Sequence, residues 1–171
     1  MEGMNELPDC LMSPRELACL VGLAQGRMVL ELGSWRGEAT AAMALGAKCV
    51  WSVDWHRGDE GTGPADTLAD YFATLRREGV ERKVVSVVGR FDRVYGALKH
   101  ASFDMVVVDG AHDAGSVTYD VVCAIELCRW PGIIAVHDFD RTEVARVATE
   151  LLGPGPEICE TLALYHWAPR P

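Results

Sequence analysis

The stretch MVLELGSWRGEATAAMALG, residues 28–46, decides how the chain is read. Met28–Leu32 is a short apolar run that ends at Gly33. Residues 38–45 favour helix and stop at Gly46. The same alternation of strand, turn and helix then continues. Residues 48–53 read as a buried strand ending at Asp54, and 65–78 carry a helical stripe of Leu68, Tyr71, Phe72 and Leu75. Residues 83–88 form the next strand, 91–98 a short helix, 103–108 a strand ending at Asp109. A helix over 114–128, a strand over 132–136 ending at His137-Asp138, and an amphipathic helix over 141–152 complete the series. Thr161–Trp167 reads as a last strand, on which His166 and Trp167 point to opposite faces. Upstream, Ser13-Pro14-Arg15-Glu16 has the form of a helix start with a capping box.

Continuous apolar strands between helices predict an α/β fold. It is a doubly wound, mostly parallel sheet with helices on both faces and a C-terminal antiparallel strand. The length of 171 residues suits one domain, with residues 1–27 as an N-terminal arm and helix and 28–171 as the main unit. With 49% hydrophobic residues a real core is expected. The net charge of −9 suits neither a phosphate backbone nor an anionic membrane, so neither partner is expected. No apolar run approaches the ~20 residues that span a bilayer. The first ten residues lack the pattern of a signal peptide. Six cysteines show no C-x₂-C spacing and read as small buried hydrophobes in a reducing, cytoplasmic setting.

Ligands of an open parallel sheet bind beyond the carboxyl ends of its strands. Those ends carry Glu31 to Gly37, Asp54, Gly89-Arg90, Asp109 to His112, and His137-Asp138. Gly33 permits a tight turn and Gly37 a close approach, at a helix start able to receive an anion. The dinucleotide pattern G-x-G-x-x-G asks for glycine at position 35, where this chain has Trp35. That argues against a nicotinamide-dependent oxidoreductase. Asp54, about twenty residues past the turn, can accept both ribose hydroxyls. Asp109, His137 and Asp138 suit Mg²⁺ or another divalent cation. A histidine beside a carboxylate can also act as a general base.

VLELGSWRGEAT (29–40), VWSVDW (50–55), VVGRFDRV (87–94), FDMVVVDGAHDAGSVTYDV (103–121) and WPGIIAVHDF (130–139) together resemble a class I S-adenosylmethionine-dependent methyltransferase. The resemblance is to the small-molecule O-methyltransferases of the macrocin and cephamycin type, and it implies the Rossmann-like methyltransferase fold. By that resemblance Glu31, Gly33, Ser34, Trp35 and Gly37 belong to the cofactor's methionine end. Asp54 is implied as the ribose acid, with Trp55 beside it. Gly89, Arg90 and Phe91 are implied next to the adenine. Asp109 is implied under the methyl group and as a metal ligand, completed by His137 and Asp138. The first of that last pair is His here, where relatives have Asp or Glu. His112 matches the base proposed in the sugar-methylating relatives. The implied function is methyl transfer from S-adenosylmethionine to a hydroxyl of a small molecule, with a homo-oligomer compatible with the small size. A non-catalytic S-adenosylmethionine-binding module is the alternative. Acceptor choice is expected to lie with the N-terminal segment, strand-end loops, loop 55–64 as a lid, or a partner subunit.

Overall fold

A computed structural model describes residues 10–59, 63–98 and 101–167. The chain opens with α1 (Pro14–Ala24), β1 (Met28–Leu32), α2 (Glu38–Gly46) and β2 (Cys49–Asp54). A small hairpin of β3 (Gly58–Asp59) and β4 (Gly63–Pro64) precedes α3 (Leu68–Arg77) and β5 (Val84–Val88). Then come α4 (Phe91–Leu98), β6 (Phe103–Val108), α5 (Ala114–Leu127), β7 (Cys128–Val136) and α6 (Thr142–Leu152). The hairpin strand β8 (Glu157–Cys159) and β9 (Leu162–Trp167) end the fold.

The main sheet has seven strands in the order β5-β2-β1-β6-β7-β9-β8. The first five in that order pair in parallel, while β9 runs antiparallel to both β7 and β8. Side chains alternate across the pleat, so each strand feeds two cores. On one face Val29, Met105, Val107, Ile133 and Ala135 meet Leu20, Met43, Tyr71 and Leu75 from α1, α2 and α3. On the other, Leu30, Val106, Val108, Ile134 and Val136 meet Leu98, Val117, Val121 and Val144 from α4, α5 and α6. Burial on both faces is why these strands read as unbroken apolar runs.

Strand order reverses between β1 and β6, and that is where a crevice opens in such sheets. The register brings the strand ends level: Leu32 faces both Val53 and Val108, and Val108 faces Val136. Backbone ladders continue one step further, with Gly33 N donating to Val53 O, Asp109 N to Leu32 O and His137 N to Val108 O. Gly33, Asp109 and His137 therefore stand side by side on one edge.

Three local expectations change. The strand expected over 132–136 starts at Cys128, because Phe103 pairs with Cys128 ahead of an irregularity in the β6–β7 register. The loop expected over 55–64 contains the β3–β4 hairpin, with residues 60–62 outside the described set. Strand β8 was not expected; three residues at a sheet edge are too few to show an alternation. The arm's residues 1–9 also lie outside the described set.

Candidate active site

The turn after β1 is shaped by backbone constraint. Gly33 has φ of +88°, and a Cβ there would lie 2.0 Å from the carbonyl oxygen of Asp109. Only glycine lets the two strand ends approach so closely. Gly37 starts α2 at φ of +84°, where a Cβ would meet the Tyr71 ring at 2.8 Å. Between them Trp35 also sits in the left-handed region, with φ of 49°. That conformation suits glycine and is held here by a neighbour. Asp54 supplies the hold: its Oδ2 accepts from Ser34 N at 2.8 Å and Trp35 N at 2.9 Å, and its Oδ1 from His56 N at 2.7 Å. The carboxylate at the end of β2 thus clamps the turn after β1.

Glu31 lies beneath this turn, 1% exposed, with its Oε2 accepting from the Thr40 hydroxyl. Burial pushes its carboxyl up to about 8 against the hydrogen bond from Thr40. It is a buried support of the turn. Beside Asp54, the Arg90 guanidinium lies 5.8 Å from the centre of the Trp55 ring. Trp55 Nε1 donates to Gly58 O at 2.8 Å, and Gly89 N donates to Asp54 O at 2.9 Å. Phe91 opens α4 and packs edge-on against Tyr95 and Tyr119 at 5.9 and 5.8 Å. The residues expected on the adenine side therefore do gather at one end of the edge.

Across the switch point the architecture is made of side-chain charge. His137 Nδ1 lies 2.8 Å from Asp109 Oδ1 and 3.7 Å from Asp138 Oδ2. His112 Nε2 lies 2.6 Å from Asp138 Oδ2. Asp138 reaches both histidines from a left-handed backbone, with φ of 54°. The contact with His112 holds the Asp138 carboxyl down at about 2, against partial burial and with help from His137 and Arg141. Burial disfavours a charged His137, but the hydrogen bond and charge of Asp109, with Asp138 and Glu16, outweigh it and raise the imidazole to about 9. A small recess beside these groups is lined by Asp109, Gly110, His112, His137, Val117 and Val144.

The candidate ligand atoms of Asp109, His137 and Asp138 all lie within 4.8 Å of one another. Two carboxylates and an imidazole at that spacing fit a hard or borderline divalent cation. Sequence reasoning did not reach Glu16. It is seen in the sequence as half of a capping box, and it is that, with Ser13 N donating to Oε2 at 2.9 Å. It is also only 3% exposed, and its Oε2 stands 3.6 Å from His137 Nε2. Burial opposes its charge, but hydrogen bonds from Thr161 and Ser13 and the nearby His137 hold its carboxyl at about 2.

This strand order is that of class I S-adenosylmethionine-dependent methyltransferases. The chain belongs to the methyltransferase-domain family, whose model matches residues 30–139. Among solved structures it is similar to cofactor-bound Rv0187 from MTB, at 26% identity and a TM-score of 0.72, covering 88% of this chain and 73% of that one. It is similar in fold to the O-methyltransferase TomG from Streptomyces achromogenes in complex with SAM, at 24% identity and a TM-score of 0.71, covering 88% and 74%. It is likewise similar in fold to an O-methyltransferase from Bacillus cereus in complex with SAH, at 19% identity and a TM-score of 0.70, covering 85% and 72%. No curated protein matches the chain significantly in sequence. No helix among the described residues is long and apolar enough to cross a membrane.

Proposed function

We propose that the protein transfers the methyl group of S-adenosylmethionine to a hydroxyl of a small molecule, with His112 as general base. The observation that carries this reading is the 2.6 Å contact of His112 Nε2 with Asp138 Oδ2, beside a recess that His112 and Asp109 both line. A carboxylate behind an imidazole fixes the ring's orientation and stabilises the cation formed when it takes a proton. O-methylation by the similar TomG and Bacillus cereus enzymes supports the choice of oxygen as acceptor.

The sulfonium is already a strong electrophile, so the protein's task is to align the acceptor with it. The acceptor oxygen forms a bond to the methyl carbon as the carbon–sulfur bond breaks and its electron pair returns to sulfur. The hydroxyl proton passes to His112. S-adenosylhomocysteine and a methyl ether leave. Asp54 and Trp55 would face the ribose, with Gly89, Arg90 and Phe91 toward the adenine and Gly33, Ser34, Trp35 and Gly37 around the methionine end. Asp109, His137 and Asp138 would hold a divalent cation, which when bound lowers the pKa of a coordinated hydroxyl.

The test is methyl transfer from labelled S-adenosylmethionine to a panel of catechols, other phenols and sugars, with wild type and His112→Ala compared. Transfer that depends on His112 supports the reading. Undiminished turnover in His112→Ala contradicts the base. Cofactor binding with no transfer to any acceptor favours a non-catalytic module.

A further inference from the structure

Glu16 lies outside the segment matched by the family model, in the first turn of α1. Its carboxylate is committed in three directions. Oε2 accepts from Ser13 N at 2.9 Å and closes the helix cap. Oε1 accepts from Thr161 N at 2.7 Å and from the Thr161 hydroxyl at 2.5 Å, tying α1 to the turn before β9. Those contacts would satisfy a structural cap. The third direction has no place in a cap: Oε2 also lies 3.6 Å from His137 Nε2. That nitrogen is buried and has no hydrogen-bond partner among the described residues, while the ring's other nitrogen faces Asp109 at 2.8 Å.

The imidazole of His137 is thus bracketed, with Glu16 behind it and the Asp109–Asp138 pair in front. A carboxylate behind an imidazole selects an N–H on the nitrogen it faces and sets the plane of the ring. At 3.6 Å the contact is an ion-pair distance, longer than the 2.7–3.2 Å of a formed hydrogen bond. We propose that Glu16 is a positioning residue of the active site, fixing His137 with its Nε2–H toward α1 and so fixing Asp109, which Nδ1 of the same ring faces, beside the recess. The inference rests on the methyltransferase reading for the meaning of Asp109, but the placement of His137 can be read without turnover. It makes α1 a working part of the site, although it lies upstream of the family segment.

Glu16→Gln keeps the side chain's length and an oxygen for Thr161 while removing the carboxylate behind His137. Ser13→Ala weakens the same helix cap without touching His137. Long-range proton–nitrogen NMR of protein with ¹⁵N-labelled histidines reads the ring directly, with His137 assigned by its loss in His137→Gln. Glu16→Gln is expected to shift both His137 ring nitrogens by several ppm and leave those of His56 and His166 in place. Ser13→Ala is expected to leave His137 unmoved. Unchanged His137 signals in Glu16→Gln, or an equal shift in Ser13→Ala, would overturn the proposal. Should Glu16→Gln not fold, Glu16→Asp draws the charge back by one methylene and is expected to move the same signals less; no movement there also overturns it. Titration of the same samples with S-adenosylhomocysteine separates the two levels, since absent binding by wild type counts against the methyltransferase reading alone.

Discussion

The two halves of the catalytic edge hold their shape by different means. Around Gly33 and Asp54 the geometry is set by backbone: a left-handed glycine, a left-handed Trp35, and three amides gathered on one carboxylate. Around Asp109 and His137 it is set by side-chain charges from segments far apart in the chain, from Glu16 to Asp138, with Thr161 holding Glu16 in place. A backbone-built half tolerates little at its few special positions and is indifferent elsewhere. In a charge-built half, losing one buried member leaves its partner's charge uncompensated. The split also follows the division of labour proposed above, cofactor on one side and proton transfer on the other.

The largest effect should come where the halves touch. Gly33→Ala would drive a Cβ to 2.0 Å from the Asp109 carbonyl oxygen at φ of +88°. Strain of this kind costs on the order of 1–3 kcal/mol for the backbone alone, before the clash is counted. Calorimetric titration is expected to show at least ~100-fold weaker S-adenosylhomocysteine binding, with a lower thermal midpoint. Normal binding would mean the turn is not the cofactor's seat.

Next is His112→Ala. Loss of a general base lowers kcat by ~10²–10⁴-fold. If the halves are separable, the variant binds S-adenosylhomocysteine within about 2-fold of wild type. Equal losses in binding and turnover would erase the distinction between the halves.

Asp54→Ala sharpens the comparison from the other side. It leaves three backbone amides without their acceptor. Each such loss costs the turn on the order of 1 kcal/mol, and with the proposed ribose contact of Asp54 also gone, S-adenosylhomocysteine binding is expected to weaken by about 10-fold or more. The contact of His112 with Asp138, seen by histidine NMR, should be untouched.

A separate effect, on stability and not on binding, concerns Glu31, whose carboxyl is raised to about 8 by burial. In the unfolded chain it ionises near pH 4.3, while in the fold it stays protonated to higher pH. Its contribution to stability is therefore fully present below that pH and is lost as pH rises through about 8. Denaturant melts of wild type and Glu31→Gln should diverge across this window, with wild type falling relative to the variant by a few kcal/mol. Parallel curves from pH 4 to 8 would show that Glu31 is ionised in the fold.

The contrast explains what could be read from sequence. The parallel core was legible because strands buried on both faces leave unbroken apolar runs such as Phe103–Val108. The turn at Gly33 was legible because a local backbone demand leaves a glycine in the text. The list of polar strand ends followed from the rule that parallel sheets bind at their carboxyl edge. The pairings did not follow: which histidine meets which aspartate depends on rotamers and on the left-handed backbone at Asp138. Glu16 was hidden for another reason. Its capping box accounts for a glutamate at that position, and only the docking of α1 against the turn at Thr161 reveals the second use. Which amides Asp54 gathers was equally invisible, since backbone amides are supplied by any residue.

One calorimetric experiment bears most directly on the central claim. S-adenosylhomocysteine is titrated into wild type, Asp54→Ala and His112→Ala under the same conditions. The account predicts one-to-one binding by wild type, near-equal affinity in His112→Ala and marked weakening in Asp54→Ala. No binding by wild type at millimolar ligand, or binding that ignores Asp54 while depending on His112, would contradict it.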